Sequence, residues 1–430
     1  MYPLNLTNES IGNALHTAIS KGFIREEDTL VMFHDLSFLR ERFQHLVSVF
    51  PAGTIHAVAM KANPLTRILE FLRPLGAGVE VASMGELKMA IKTGYPVNKI
   101  VFDSPVKTRQ DLEFALATGV HINIDSLAEL ERVAELKKRI SSGSTIGIRI
   151  NPQVGVGTIE ESSVAGEYSK FGVPIRTRRK ELGDAFLTRP WLTGVHLHVG
   201  SQGCPMELLL SGIGVLYNFV SEVNEKRNAT GLQPVSIFDI GGGLPVSYKG
   251  DRTPVLMADY AKEIAKLFPL LFTSHFSLFT EFGRWVHVNA GWTVSRVEYV
   301  KRDPGINTAM IHAGADLFLR ECLNPEIWQH EYSVFDKTGT LKSGSKDINR
   351  YNLAGPLCFS GDILARNVEL PVTEEGDYLV IHDTGGYTYS MWSRYNSRQT
   401  PRIIGYADKG KVFEILKERE SFEKLDGFWE

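Results

Sequence analysis

The amino-acid sequence predicts an α/β barrel followed by a separate antiparallel β domain. From about residue 29, short apolar segments alternate with amphipathic helical stretches, and the alternation repeats about eight times. After about residue 292 it gives way to Val-rich and aromatic strands with short loops. Eight strand–helix units fit a (β/α)8 barrel, which typically needs about 250 residues. A doubly wound open sheet is the alternative, because periodicity does not show whether a sheet closes.

The elements follow in chain order from apolar runs bounded by turn residues. Strands are predicted at 30–33, 55–60, 79–81, 100–102, 122–124, 146–150, 194–199, 237–240 and 278–281. Apolar residues at helical spacing predict helices at 65–72, 86–91 and 127–136. The strands of the second domain are predicted at 294–300, 378–381, 403–404 and 411–415. The chain is thus divided into an N-terminal segment 1–30, expected to pair with the β domain, a barrel over 31–292 and a β domain over 293–430.

The composition excludes several classes of protein. A formal net charge of -3 over 430 residues gives no basic field for nucleic acid or an anionic membrane. The N-terminus lacks the pattern of a signal peptide, and we expect no membrane span, so the predicted compartment is the cytoplasm. The three cysteines, Cys204, Cys322 and Cys358, allow no disulfide framework and show no metal-site pairing.

Lys61 directly follows the apolar run 55–60, at the predicted carboxyl end of a barrel strand. Barrel enzymes place their active sites at that end. A lysine desolvated there can lose its proton and form an imine with an aldehyde cofactor. A strand-end lysine with its ammonium in water is the alternative interpretation.

Three other strand ends carry candidate motifs. DIGGGLP (239–245) can cradle a phosphate with bare backbone N–H groups, or is only a tight turn. EFGR (281–284) offers a carboxylate for a ring nitrogen and a cation for phosphate or carboxylate, or forms a surface salt bridge. HLHVGS (196–201) places two histidines on one strand face. Stacking on a planar ring is predicted rather than metal binding, because no third ligand has suitable spacing.

Together with Cys358, a lone cysteine in a loop, these motifs resemble the fold-type III pyridoxal-phosphate decarboxylases. The likeness is greatest to diaminopimelate decarboxylase, with ornithine and arginine decarboxylases as more distant relatives, and it runs from about residue 31 to about residue 405. Seven ordered motifs carry it: AMKAN (59–63), GVEVAS (78–83), HLHVGSQ (196–202), GGG (241–243), EFGR (281–284), CFSGD (358–362), and GY (386–387) followed by YNSR (395–398).

The resemblance implies a (β/α)8 barrel of the alanine-racemase type that binds pyridoxal 5'-phosphate, a C-terminal antiparallel β domain, and a homodimer with shared active sites. It implies that Lys61 bonds the cofactor, that His198 stacks on its ring and that Glu281 faces the ring nitrogen. The implied phosphate ligands are Ser201, Gly242, Gly243, Gly283, Arg284 and Tyr387. The implied substrate contacts are Arg284, Arg320, Asp362 and Tyr387. Cys358, the candidate proton donor, and Asp362 resemble the pair that the family delivers from the other subunit.

The implied reaction is decarboxylation of an amino acid, meso-diaminopimelate or a related diamino or carboxy substrate. Two positions depart from the family pattern. Phe359 stands where a glutamate binds the distal amine of the substrate, and Asn324 stands where a tyrosine helps to hold its distal carboxylate. Because an unpaired charge in a closed pocket is strongly disfavoured, the substrate is predicted to differ from diaminopimelate.

Alternative functions are a decarboxylase of another amino acid or conjugate, a racemase, a non-catalytic regulatory homologue and a cofactor carrier. Racemases of this class typically place an arginine at the ring nitrogen, where this chain has Glu281. Regulatory relatives usually lose the lysine or the cysteine, and this chain keeps Lys61 and Cys358. Carriers are normally a barrel alone.

Overall fold

The computed structural model describes residues 5–248, 255–343 and 348–430. Its strands are β1 (Leu30–Asp35), β2 (Ile55–Ala59), β3 (Gly78–Val81), β4 (Ile100–Phe102), β5 (His121–Ile124), β6 (Ile146–Asn151), β7 (Val173–Pro174), β8 (Leu192–His196), β9 (Ile237–Asp239), β10 (Ser277–Thr280), β11 (Gly291–Asp303), β12 (Ile306–Ile311), β13 (Tyr332–Phe335), β14 (Ile348–Ala354), β15 (Ile363–Pro371), β16 (Tyr378–Ile381), β17 (Arg402–Ala407) and β18 (Val412–Lys417). Its helices are α1 (Asn8–Ser20), α2 (Leu36–Val49), α3 (Thr66–Leu72), α4 (Met84–Lys92), α5 (Arg109–Thr118), α6 (Leu127–Lys137), α7 (Ile175–Thr188), α8 (Met206–Ala229), α9 (Met257–Leu267), α10 (Gly283–His287), α11 (Leu319–Leu323) and α12 (Phe422–Trp429).

Eight parallel strands form a closed barrel. They pair in the order β5-β4-β3-β2-β10-β9-β8-β6, and β6 pairs with β5 to close the circle, while β7 adds to β6 at one edge. Ala57, Val101, Ile237 and Phe279 pack together as a buried apolar cluster of the barrel strands. Closure excludes the open doubly wound sheet, and the predicted (β/α)8 barrel is confirmed.

The second sheet is mainly antiparallel, in the order β15-β14-β12-β11-β1-β17-β18, with β16 pairing both β11 and β13. β1 belongs here and not to the barrel: Leu30 lies opposite Ser295 on β11 and Val31 opposite Arg402 on β17. The prediction that residues 30–33 form a barrel strand was therefore wrong. All six residues of β1 are buried, and the apolar run at 30–33 does not by itself reveal which sheet it joins.

The described residues divide into two compact units. One comprises residues 42–246 and 255–285 and contains the barrel, and the other comprises 5–41, 247–248, 286–343 and 348–430. The division predicted from the sequence, at residues 31 and 292, instead grouped most of β1 and residues 286–292 with the barrel. In the sheet unit, α1 of the N-terminal segment packs its buried face on a core that includes Phe33 and Trp292, whose stacked rings lie 4.1 Å apart. Residues 1–4 lie outside the described residues.

Helix α8 corrects one expectation from the sequence. With 24 residues and an apolar window of mean hydropathy 1.3, it is long and apolar enough to cross a membrane, whereas no such stretch was expected. It lies between β8 and β9 in the barrel and buries residues such as Leu216, Phe219 and Val220. An apolar core helix of a soluble barrel meets the same length criterion.

Side-chain caps start three of the helices that follow barrel strands, namely α4, α5 and α6. The Ser83 hydroxyl accepts the N–H of Glu86 at the start of α4, and Thr108 with Asp111 forms a reciprocal capping box at the start of α5. These caps fix where β3, β4 and β5 turn into their helices, and so help to order the carboxyl face of the barrel, where the barrel's own candidate residues lie.

Candidate active site

Lys61 lies just beyond a barrel strand. β2 ends at Ala59, and Lys61 follows in a 3-10 turn over Met60–Ala62. Its Nζ donates to both carboxylate oxygens of Glu80 on β3, at 2.9 and 2.8 Å. The Glu80 side chain is fully buried, whereas that of Lys61 is 40% exposed. Burial raises the pKa of Glu80 to about 8, although the Lys61 ammonium opposes the shift.

A buried charge cluster surrounds His196, the last residue of β8. Its Nε2 lies 3.6 Å from Oε2 of Glu281, and its Nδ1 lies 3.4 Å from Oδ1 of Asp103. Arg149 on β6 donates to the other oxygen of Asp103 at 3.1 Å. Burial alone would lower the pKa of His196, but the surrounding carboxylates raise it well above its usual value. Burial would likewise raise the pKa of Glu281, and His196 outweighs it and lowers that pKa.

The sequence predicted that His196 and His198 share one face of a strand. That prediction was wrong, because β8 ends at His196 and His198 lies beyond it. Its Nδ1 accepts the N–H of Gly242 at 3.2 Å and lies 3.9 Å from Oε2 of Glu281. Burial lowers its pKa to about 3, so the imidazole is neutral at physiological pH. A neutral ring suits stacking on an aromatic ligand.

Within the described residues, His196, His198 and Glu281 bring their possible ligand atoms within 4.8 Å of one another. Glu281 is a third possible ligand that the spacing of residues in the sequence did not indicate, because it lies far along the chain from the two histidines. The Nδ1 of His198 is already a hydrogen-bond acceptor for the Gly242 N–H. We therefore interpret the three as a polar network and not as a metal centre.

The glycine run after β9 has no room for side chains. A Cβ at Gly242 would lie 2.5 Å from the carbonyl oxygen of Glu281, and a Cβ at Gly243 would overlap the carbonyl oxygen of Gly200. Gly243 also has a φ of +102°, which other residues rarely adopt. Close backbone packing without side chains is the arrangement that lets main-chain N–H groups approach a phosphate.

The EFGR segment, which packs against the glycine run, carries the arginine of the predicted site. Gly283 begins α10, and a Cβ there would lie 2.8 Å from that of Ala59. The next residue, Arg284, is buried and donates through Nε to the Ser201 hydroxyl at 3.0 Å. The structure thus brings together Ser201 and Arg284, which are 83 residues apart in sequence.

In the sheet unit, Arg320 lies on α11 and Asn324 directly follows that helix. The Arg320 Nη2 donates to the carbonyl oxygen of Tyr387 at 2.9 Å, and its guanidinium lies 4.2 Å from the centre of the Trp328 ring. Tyr387 has a φ of +58°, unusual for an aromatic residue. These contacts orient Arg320 and Tyr387 together.

Cys358 is exposed in the loop between β14 and β15. Its N–H donates to Oδ1 of Asn396 at 2.8 Å, and the neighbouring Phe359 ring packs edge to face on Tyr395 with 6.1 Å between centroids. Asp362, at the end of the loop, is only 4% exposed, and its oxygens accept the backbone N–H groups of residues 315 and 357, both at 2.6 Å. Asp362 thus anchors this loop.

Sequence analysis missed Glu80, Asp103 and Arg149 as members of the cluster. Each lies on or directly after a barrel strand, where a charged residue in an otherwise apolar run is unusual. That position was a signal that could have identified them. It could not have indicated their partners, which come from other strands.

The chain matches known proteins over most of its length. Residues 36–288 match the family model described as pyridoxal-dependent decarboxylase, pyridoxal binding domain. It is 31% identical to a diaminopimelate decarboxylase of Methanothermobacter thermautotrophicus, over 90% of this chain and 88% of that protein. It is 33% identical to one from Pseudomonas aeruginosa, over 87% and 86%. The crystal structure of diaminopimelate decarboxylase from Helicobacter pylori complexed with L-lysine superposes with a TM-score of 0.81 and 27% identity, covering 95% of this chain and 99% of that one.

The chain therefore belongs to the pyridoxal-dependent decarboxylase family. It is an amino-acid decarboxylase that uses pyridoxal phosphate, and it resembles the diaminopimelate decarboxylases. The predicted class of enzyme and its cofactor are confirmed. Decarboxylation is favoured over racemisation and over a role without catalysis.

Proposed function

We propose that the barrel residues hold pyridoxal phosphate as the family resemblance implies. The observation that carries this proposal is an unpaired buried acceptor: Oε1 of Glu281 has no hydrogen-bond partner among the described residues. A buried carboxylate oxygen without a donor is costly, so a donor from a bound ligand is expected there. The protonated ring nitrogen of the cofactor is such a donor.

The other residues fit the same ligand. Lys61 would supply the amine for the aldehyde, and the neutral His198 ring would supply a flat face for the cofactor ring. The phosphate is assigned to Ser201, Gly242, Gly243, Gly283, Arg284 and Tyr387. When bound, pyridoxal phosphate supplies an electron sink for the electron pair left by carbon dioxide.

The chain's own groups set the charges. Glu281 is a carboxylate whose lowered pKa keeps it ionised, as a partner of a protonated ring nitrogen must be. Glu80 receives two hydrogen bonds from Lys61 and orients that amine. Arg284 beside Ser201 supplies positive charge and a hydroxyl for an anionic group.

We assign proton donation to Cys358 and propose that it reaches the site from a partner subunit in a homodimer. Exposure of the Cys358 loop supports this, and so does the apolar character of its surroundings, since Phe359 is 38% and Tyr395 48% exposed. All three cysteines are free, which suits the reducing cytoplasm as the compartment. Arg320 and Tyr387 are assigned to the substrate, with Asp362 acting through its anchoring of the loop.

The substrate is proposed to be an amino acid with a carboxylate that Arg320 or Arg284 can bind, and to differ from meso-diaminopimelate. Phe359 offers no counter-charge for a distal ammonium, and Asn324 replaces a contact for the distal carboxylate. Binding a charged group without its partner costs several kcal/mol in a closed pocket. The alternative is that the enzyme acts on meso-diaminopimelate and tolerates both replacements.

The test is release of carbon dioxide by the cofactor-loaded enzyme from meso-diaminopimelate, L- and D-lysine, L- and D-ornithine, arginine and carboxynorspermidine. Lys61→Ala is the negative control. Release from another amino acid, with little from meso-diaminopimelate, is expected. Efficient turnover of meso-diaminopimelate alone would contradict the proposed substrate and leave the family assignment intact. No release from any substrate would point to a conjugated amino acid.

A further inference from the structure

His196 lies between two carboxylates in the wall of the proposed cofactor site, and no role has been assigned to it above. It is fully buried at the end of β8. One ring nitrogen faces Glu281 at 3.6 Å and the other faces Asp103 at 3.4 Å. Neither ring nitrogen has a hydrogen-bond partner among the described residues, so the attraction to the two carboxylates is electrostatic, and it is strongest when both nitrogens carry protons.

The charged groups around His196 favour that doubly protonated form. Arg149 pairs with Asp103 from β6 and does not contact Glu281 within ion-pair distance in the described structure. Asp239 on β9 is a third nearby carboxyl, but burial and the Glu281 charge raise its pKa to about 8. Near neutral pH, Asp239 is therefore largely uncharged, and His196 faces Asp103 and Glu281 as the two anions.

The other neighbours bind other partners, and the Lys61 charge lowers the pKa of Glu281 less than His196 does. His198 has its Nδ1 engaged by the Gly242 N–H, and Lys61 directs its ammonium to Glu80. His121 on β5 bonds through its two nitrogens to Thr145 and Asn123. Among the described ion-pair contacts of Glu281, that with His196 is the shortest, at 3.6 Å against 3.9 Å for His198.

We propose that His196 is a positioning residue for Glu281: as an imidazolium it keeps Glu281 ionised and turns Oε2 toward itself, which leaves Oε1 for the ring nitrogen of the cofactor. This inference rests on the proposed role of Glu281. It assigns a charge-setting task to a fully buried histidine to which no contact with substrate or cofactor was assigned above. Without the charge on His196, burial would favour the protonated form of Glu281, which is a poor partner for a protonated nitrogen.

The test compares two ligands in three proteins. Dissociation constants are measured for pyridoxal phosphate and for its deaza analogue, in which carbon replaces the ring nitrogen, using wild-type protein, His196→Gln and His121→Gln. The readout is the ratio of the two constants, which isolates the contact at the ring nitrogen. We expect wild type and His121→Gln to prefer the natural cofactor over the analogue by the same ratio. In His196→Gln that ratio should fall about tenfold, which corresponds to a change of one pKa unit at Glu281.

The outcomes separate the two proposals. Equal binding of both ligands by wild type would overturn the role of Glu281 itself. A normal preference in wild type that persists in His196→Gln would overturn only the role of His196. If His196→Gln does not fold, nitrogen NMR of the histidines in the wild-type holoenzyme decides. An imidazolium at about pH 8, where an ordinary histidine is neutral, supports the inference, and its absence overturns it.

Discussion

Lys61 donates two hydrogen bonds to Glu80, one to each carboxylate oxygen, at 2.9 and 2.8 Å. The pair joins a partly exposed lysine side chain to a carboxyl group from which water is excluded. Because burial raises the pKa of Glu80 from 4.5 to about 8, the pair makes stability depend on pH.

Glu80→Gln should flatten that dependence. Between the two pKa values the folded protein holds a proton on Glu80 that the unfolded chain has released, so stability falls as pH rises, by up to about 1.4 kcal/mol per pH unit. Urea unfolding of the cofactor-free protein at several pH values measures the slope. Glu70→Gln, at a partly exposed side chain, should keep the slope of wild type. Identical slopes in all three proteins would show that Glu80 titrates normally.

Gly243→Ala should weaken cofactor binding by at least about tenfold, because the new Cβ overlaps the Gly200 carbonyl and displaces the glycine run. Gly231→Ala is the matched control. Gly231 also has a positive φ, +72°, but nothing lies within 4 Å of a Cβ there. Both variants place an alanine at a positive φ, with a backbone strain of about 1–2 kcal/mol. Only Gly243→Ala should lose affinity for the cofactor. A similar loss in both would mean that strain alone explains the effect.

Cys358→Ala should lower kcat by about 10²-fold or more, the usual contribution of a general acid, with cofactor absorbance unchanged. Cys358→Ser keeps the size and hydrogen-bonding capacity of the side chain but replaces the thiol by a far weaker acid. It should therefore be nearly as slow. Steady-state kinetics measure both variants, and full activity of Cys358→Ala would assign proton donation to another group.

Mixing Lys61→Ala with Cys358→Ala should restore activity if the two residues come from different subunits. In the proposed homodimer, each parent dimer would lack one essential group at both sites, whereas a mixed dimer would have one complete site. Random exchange would then give about a quarter of wild-type activity. Carbon dioxide release after subunit exchange is the measurement, and no recovery in a dimer shown to exchange would place both residues in one subunit.

Phe359→Glu should raise kcat/KM for meso-diaminopimelate by about tenfold or more, because it supplies a counter-charge for the distal ammonium. Phe359→Gln separates charge from size, since it also removes the ring that packs on Tyr395. Only the charged variant should gain activity. An equal gain in both would show that the aromatic ring blocks the substrate by its bulk.

Sequence patterns alone identified Lys61, the glycine run and Glu281 as candidates. This was possible because parallel strands of a barrel end on one face, so that strand-end residues converge wherever they lie in the chain. The family motifs then supplied their implied roles and the cofactor. The class of enzyme, which the family match confirms, could thus be predicted from the sequence without a structure.

Other features were decided only by the tertiary structure. Four features involve partners distant in sequence: the sheet that β1 joins, the Lys61–Glu80 pair, the bond from the Ala315 N–H to Asp362 at the end of the Cys358 loop, and the placement of His196 between Asp103 and Glu281. An apolar run does not specify its neighbouring strand. The charge of a buried side chain depends on distances of a few ångströms in a medium that screens poorly. Strand periodicity is local, whereas pairing and protonation are set by the groups that folding brings together.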